Sequence, residues 1–180
     1  MEKAVVIMPD ITLGKGSFSD WEALWRNIWS FPESARYMQW EPTHSAEAAR
    51  ARMERTLRWQ ASHPAFTIYE NATGQAIGFA GLLEHKPGLY LDTGLALGPA
   101  YTGRGYGRQA LRALMQVAFE QLGAQKLVCG CRTENAPSRR LQLGCGLRYS
   151  PTGPSNDPHT GAPCEIEFYA MTREEYFSKL

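Results

Sequence analysis

The stretch YTGRGYGRQALRALMQVAF, Tyr101 to Phe119, sets Gly103, Gly105 and Gly107 and two arginines, Arg104 and Arg108, directly ahead of an amphipathic helical pattern. Glycines at alternate positions let the backbone turn sharply and approach a ligand without Cβ interference, so that consecutive amide hydrogens can point at one anion. The following helix adds unpaired N-terminal N–H groups and its dipole, and the two guanidinium groups can neutralise negative charge at close range. Taken alone, such a loop is equally an ordinary strand-to-helix turn.

Its flanks narrow the choice of ligand. A P-loop ends in Gly-Lys-Ser/Thr, whereas Gly107 is followed by Arg108 and Gln109. A dinucleotide-binding turn sits early in a parallel βαβ unit, with an acidic residue roughly twenty positions later. Lys126 and Leu127 occupy that region here, and the preceding strand belongs to an antiparallel meander. The pyrophosphate of coenzyme A is the third candidate.

Further out, strand-like runs bounded by turn residues are read at Val5–Ile7, Ile11–Leu13, Phe66–Glu70, Ala76–Glu84, Leu89–Leu97, Lys126–Arg132, Leu147–Tyr149 and Glu165–Met171. Glu70–Gln75, ENATGQ, reads as a hairpin between two of them. Ser150–Cys164, rich in proline, glycine and asparagine, reads as a long hairpin loop. Helices are expected from Ser19, with Ser19 or Asp20 as cap, from Ser45 to Gln60, from Arg104 to Leu122, and from about Pro137 to Gly144. Trp21, Leu24, Trp25 and Ile28 lie at helical spacing and read as core. This element order predicts an α+β fold with a mixed, mainly antiparallel sheet.

The 180 residues are most simply one domain, spanning 1–180. Nineteen basic against eighteen acidic residues give a formal charge of +1, which provides no global field for gathering nucleic acid or an anionic membrane. Neither partner is expected, so any anion site must be local. Met1–Asp10 has too short an apolar run for a signal peptide, and no run approaches a bilayer span, which predicts a cytoplasmic location. Cys129, Cys131, Cys145 and Cys164 are expected as free thiols. The single-residue gap of Cys129-Gly-Cys131 is shorter than that of a zinc knuckle, and no metal is expected.

Thr102–Gly107, TGRGYG, resembles the acyl-coenzyme A signature Gln/Arg-x-x-Gly-x-Gly/Ala of the GNAT N-acetyltransferases, with threonine in the first position. The resemblance extends in both directions. LDTGLALGPAYTGRGYG is similar to the fourth strand and following loop of the RimJ/RimL-like branch, and TENAPSRRLQLGCGLRY to its Asn-x-x-Ser helix. SARYMQWEPTHSAEAARARMERTL is similar to the branch's second-helix region, and EIEFYAMTREEYFSKL to its closing strand and tail.

The resemblance implies a single-domain GNAT-like fold whose central strands splay apart, with helices flanking the sheet and acetyl-coenzyme A as cosubstrate. The acyl-pantetheine arm would lie in the opening like an added strand, against the main chains of Leu95 and Leu97. Thr102, Gly103, Arg104, Gly105, Tyr106, Gly107 and Arg108 would hold the pyrophosphate, Asn135 would face the cofactor, and Arg139 or Arg140 would reach its phosphates or stay solvated.

The implied reaction is direct attack of a neutral primary amine on the acetyl thioester in a ternary complex, with no covalent enzyme intermediate. Asp92 aligns with a glutamate of the branch and is the candidate base. Its parity is opposite to that of Leu91, where other GNAT enzymes carry their base, so it reads equally as a surface or ion-paired aspartate. Gln142 stands where the family's acid, a tyrosine, is frequent; Ser138 is the candidate proton donor, with helix capping as its alternative role. His85 is a further candidate base. Tyr37, Met38 and Trp40 would form an apolar wall for the acceptor, or belong to the core. Acceptors within the branch include protein N-terminal amines, polyamines and aminoglycosides, and a homodimer is its frequent assembly. A non-catalytic acyl-coenzyme A sensor is the reading from another class.

Overall fold

The computed structural model describes residues 6–157 and 159–179. Among them eight strands form one sheet in the order β1-β2-β3-β4-β5-β6-β8-β7. These are β1 Val6–Ile7, β2 Ile11–Gly14, β3 Ala65–Glu70, β4 Ala76–Lys86, β5 Leu89–Leu97, β6 Lys126–Arg132, β7 Arg148–Asn156 and β8 Pro163–Thr172. All neighbours are antiparallel except β5 and β6, which run parallel. Helix α1, Trp21–Leu24, follows a 3₁₀ turn at Phe18–Asp20 and passes into a π turn at Trp25–Trp29. Then come α2 Pro32–Ala35, α3 Ala46–Ser62, α4 Tyr106–Gln116 with a π turn at Val117–Gln121, α5 Ala136–Gly144 and α6 Arg173–Phe177. The α+β class and the mixed sheet agree with expectation; Val5, in the first expected strand, lies outside the described residues.

The two faces of the sheet carry separate cores. Helix α4 lays Ala110, Leu111, Ala113 and Leu114 onto Phe66, Ile68, Ile77, Leu82 and Leu127. On the other face Leu24, Ile28 and Trp29 join Met53, Ala49 and Ala96, with Trp21 and Trp25 partly buried against them. The aromatic stripe of the first helix is thus core.

Caps fix the helix entries. The Ser45 hydroxyl accepts the Ala48 N–H at 3.1 Å, as anticipated for α3. A 3₁₀ turn at Phe18–Asp20 precedes α1, and Asp20 stands at the N-cap position of α1, as expected, without a side-chain cap bond. Asp20 lies inside that turn, accepting from the Ser17 N–H at 2.7 Å and from the Tyr69 hydroxyl at 2.6 Å. Helix α4 begins at Tyr106, not Arg104, because Gly105 adopts a left-handed φ of 84° that ends the loop. Helices α2 and α6 span only 4 and 5 residues, too short for a periodic signal.

The expected loop at Ser150–Cys164 is corrected. Strand β7 continues to Asn156 and β8 starts at Pro163, leaving 157–162 as the connection. Strand β7 is the sheet's edge, so the missing N–H groups of Pro151 and Pro154 can face outward and remove no ladder bond. A register shift between Ser150 and Gly153 absorbs the irregularity.

Candidate active site

Strands β5 and β6 pair only through Leu89–Lys126, Tyr90–Leu127 and Leu91–Val128. Beyond that point β6 stays on β8 and β5 stays on β4, so the centre of the sheet opens. The opening starts where β5 bulges. The β4 register shifts between Ala80–Leu95 and Leu82–Asp92, with Gly94 at φ 106° in the extra residue's span. Asp92 Oδ1 accepts the Gly130 N–H at 3.1 Å, replacing the strand partner that Gly130 lost at the split. The Gly98 N–H bonds Ile77 O at 2.9 Å. Hydrogen-bonded pairs alternate along an antiparallel ladder, so the main-chain groups of Leu95 and Leu97 turn away from β4 toward the opening.

The glycine loop leads from this opening into α4. Gly103 and Gly105 have φ of 73° and 84°, and a Cβ on either would meet nothing within 4 Å, so backbone conformation and not crowding calls for glycine there. Gly107, by contrast, already lies inside α4, where an added Cβ would be 3.6 Å from Leu141 Cδ2. No side chain caps α4, which leaves the N–H groups of its first turn open at the loop. The side chains are committed differently. The Arg104 guanidinium lies 3.6 Å from Glu70 Oε1, and the Tyr106 hydroxyl donates to the same oxygen at 2.9 Å. Arg108 lies against Gly144 of α5, where a Cβ would be 3.2 Å from Nη2. Thr102 closes the 3₁₀ turn at Pro99–Tyr101 by donating to Pro99 O at 2.9 Å. The loop therefore presents main-chain donors more than guanidinium groups.

A small cavity of about 80 Å³ sits in the opening, with Asp92, Gly94 and Leu95 on one side and Cys129, Gly130, Asn135, Ser138 and Gln142 on the other. Burial raises the Asp92 carboxyl to about 6, against the pull of the Gly130 and Gly94 N–H groups. Asn135 caps α5, its Oδ1 accepting the Ser138 N–H at 3.2 Å. The Ser138 hydroxyl accepts from Gln142 Nε2 at 3.1 Å. Gln142 is buried, and its Oε1 has no partner among the described residues. Burial pushes the Cys129 and Cys131 thiols up, away from thiolate character. The four cysteines are unpaired in the structure. Arg139 pairs with Glu167 at 3.2 Å. His85 is exposed at the far end of β4 and lines neither this cavity nor the larger one.

The larger cavity, about 800 Å³, lies on the opposite face, between α3, the segment from Trp40 to Ser45, and strands β3 and β4. Thr93, next to Asp92 on the bulge, lines it, so consecutive residues of β5 address the two cavities. The expected acceptor wall is divided between them. Tyr37 and Met38 line the small cavity, where Met38 Cε packs tightly over Gly94. Trp40 lines the large one, edge-on to Phe79 with ring centroids 6.1 Å apart.

The residues that sequence reasoning missed are on α3: Arg52, Arg55, Thr56 and Trp59 all face the large cavity. Their spacing of three, four and seven places them on one helical face, beside the buried Ala49 and Met53. That stripe is legible, but which side of the molecule it faces is not. Among the described residues no group of three or more His, Cys, Asp or Glu is arranged to hold a metal, and no helix is long and apolar enough to cross a membrane.

Comparison with known proteins agrees with this geometry. Residues 11–148 match the family model for the acetyltransferase (GNAT) domain. The chain is 32% identical over 87 residues to the FsC-acetyl coenzyme A-N(2)-transacetylase of Aspergillus fumigatus, a match covering 47% of this chain and 37% of that protein. It is 24% identical to an uncharacterized N-acetyltransferase, p20, of Bacillus licheniformis, over 92% of this chain and 94% of the other. A crystal structure of a GNAT-family acetyltransferase from Bacillus anthracis superposes with a TM-score of 0.82 at 21% identity, covering 95% of this chain and 99% of that one. The split sheet, the uncapped helix after a glycine turn and the match over most of the chain lead to one conclusion: the chain belongs to the GNAT acetyltransferase family and is an acetyl-coenzyme A-dependent N-acetyltransferase.

Proposed function

We propose that the protein is a RimJ/RimL-like N-acetyltransferase that passes the acetyl group to a primary amine by direct attack in a ternary complex. The observation that carries this reading is the opening between β5 and β6, which runs from the uncapped start of α4 to the bulge that separates the two cavities. In this reading the pantetheine arm takes the main-chain groups of Leu95 and Leu97, as an added strand would. The pyrophosphate takes the N–H groups from Gly103 to Arg108, and Asn135 faces the arm from α5. The motif similarities across Leu91–Gly107 and Thr133–Tyr149 support the branch assignment.

The amine enters from the large cavity beside Thr93 and reaches the thioester carbonyl at the bulge. The Leu95 N–H is the oxyanion donor that the free side of β5 offers. Asp92, ionised above pH about 6, accepts the amine proton directly or through water. Ser138, at the other wall of the small cavity, protonates the departing thiolate, with Gln142 holding its oxygen. A homodimer in the cytoplasm completes the proposal; sedimentation showing only monomer at micromolar concentration removes the dimer from it.

Isothermal titration with acetyl-coenzyme A, followed by thiol release across a panel of amines, tests the reading. Binding that Gly105→Glu abolishes, together with turnover of at least one amine, supports it. Binding without thiol release from any amine replaces it with an acyl-coenzyme A sensor. No binding at all makes the glycine loop a plain turn.

A further inference from the structure

Helix α3 carries four arginines, and two of them differ from the others. Arg50 has Glu47 and Glu54 at helical spacing and Arg58 has Glu54, whereas Arg52 and Arg55 have no acid three or four residues away. The tertiary fold supplies none either: among the described residues neither Arg52 nor Arg55 forms an ion pair. Both line the large cavity.

The partners of Arg52 are all uncharged. Its guanidinium lies 4.7 Å from the Trp29 ring centroid and 4.3 Å from that of Trp40, and it donates to Thr43 Oγ1 at 3.0 Å and Glu41 O at 3.4 Å. Burial and the neighbouring Arg55 charge pull it down to about 10, which leaves it cationic at neutral pH. The one carboxylate on the cavity wall, Glu41, turns its Oε1 to His159 Nδ1 at 2.5 Å. Phe79 and Trp59 make the remaining wall largely apolar. Arg52 is half-buried among the aromatic rings while Arg55 is exposed, and two like charges on one wall with no acid paired to either are favoured by an anion that joins them.

We propose that the acceptor amine carries a carboxylate or phosphate that Arg52 and Arg55 bind, and a flat apolar body that packs on the tryptophans, with its amine directed to Thr93 at the β5 bulge. The inference rests on the acetyltransferase reading and narrows its acceptor. It disfavours polyamines and aminoglycosides, whose added positive charge would meet two guanidinium groups.

Thiol release from acetyl-coenzyme A is measured with L-tryptophan, glycyl-L-tryptophan, the aminophosphonate analogue of tryptophan, tryptamine and spermidine. The acidic probes are expected to exceed tryptamine in kcat/KM by at least about tenfold, with spermidine lowest. Carboxylate and phosphonate arms separate the two anion types. Arg52→Gln and Arg55→Gln should raise KM for the acidic probes about tenfold and narrow the gap to tryptamine, with acetyl-coenzyme A affinity retained as the check on folding. Preference for tryptamine or spermidine, or an unchanged gap in both variants, overturns the inference. If no probe turns over, N-acetyl-L-tryptophan and N-acetyltryptamine are titrated into the coenzyme A-loaded protein. Binding of the acid alone, lost in Arg55→Gln, keeps the anion site while the catalytic reading fails; binding of neither, or of both equally, overturns it.

Discussion

The two sides of β5 are built from different materials. Toward α4 the site is main chain: a strand split, a left-handed turn at Gly103 and Gly105, and the free N–H groups of a helix start. Toward α3 it is side chain: Arg52, Arg55, Trp29, Trp40, Trp59 and Phe79 around a cavity of about 800 Å³. Main-chain sites suit one invariant ligand, because any sequence that makes the turn makes the donors. Side-chain sites suit selection, because each wall residue can change without moving the sheet. We propose the first side for the cosubstrate and the second for the choice of acceptor.

The sharpest way to break this contrast is Gly105→Glu. The added Cβ meets nothing within 4 Å, so the fold should survive a strain of about 1–2 kcal/mol. The carboxylate stands where the pyrophosphate is proposed to bind, and titration should show no measurable acetyl-coenzyme A affinity. Gly105→Ala, with the strain and no charge, should lose far less; equal losses would mean conformation, not the anion site, is responsible.

Next in size are the two candidate chemical groups. Asp92→Asn and Ser138→Ala should each lower kcat by about 10²-fold with acetyl-coenzyme A affinity retained. In the parent, activity should fall as pH drops below about 6, where the Asp92 carboxyl takes up its proton. That acidic limb should be absent in Asp92→Asn. A kcat unchanged in Asp92→Asn would leave the residue only its hydrogen bond to Gly130.

Asp92 also sharpens the contrast through stability. Its folded-state pKa is raised to about 6 from 3.8, so the unfolded chain releases the proton first. The stabilisation is present at low pH and is lost as pH rises through about 6. Denaturation over that window should show a smaller slope in Asp92→Asn than in the parent. Least in size, Ser45→Ala removes the cap of α3 and should lower stability by about 1 kcal/mol, read from the denaturation midpoint. If acceptor KM rises in that variant while acetyl-coenzyme A affinity holds, α3 is confirmed as belonging to the acceptor side alone.

Much of the first side was legible because it depends on residue types with few alternatives. Glycine at Gly103 and Gly105 announces a turn, and the Leu111, Leu114 and Ala118 spacing announces the helix behind it. The arginines were less legible. A guanidinium reaches far, and Arg104 found the buried Glu70 while Arg139 found Glu167, both distant in sequence. The Ser150–Cys164 segment was misread because its prolines suit a loop in isolation and an edge strand once β8 is beside them.

The sequence by itself determined the α+β order, the strand runs, the glycine turn and the helix that follows it, since periodicity and φ preference are local properties. Only the tertiary structure decided where the sheet opens, that Asp92 and Thr93 address different cavities, and that Arg52 and Arg55 share one without an acid. Those outcomes depend on register and on which elements meet, and contacts between residues far apart in the chain are set by packing of the whole core.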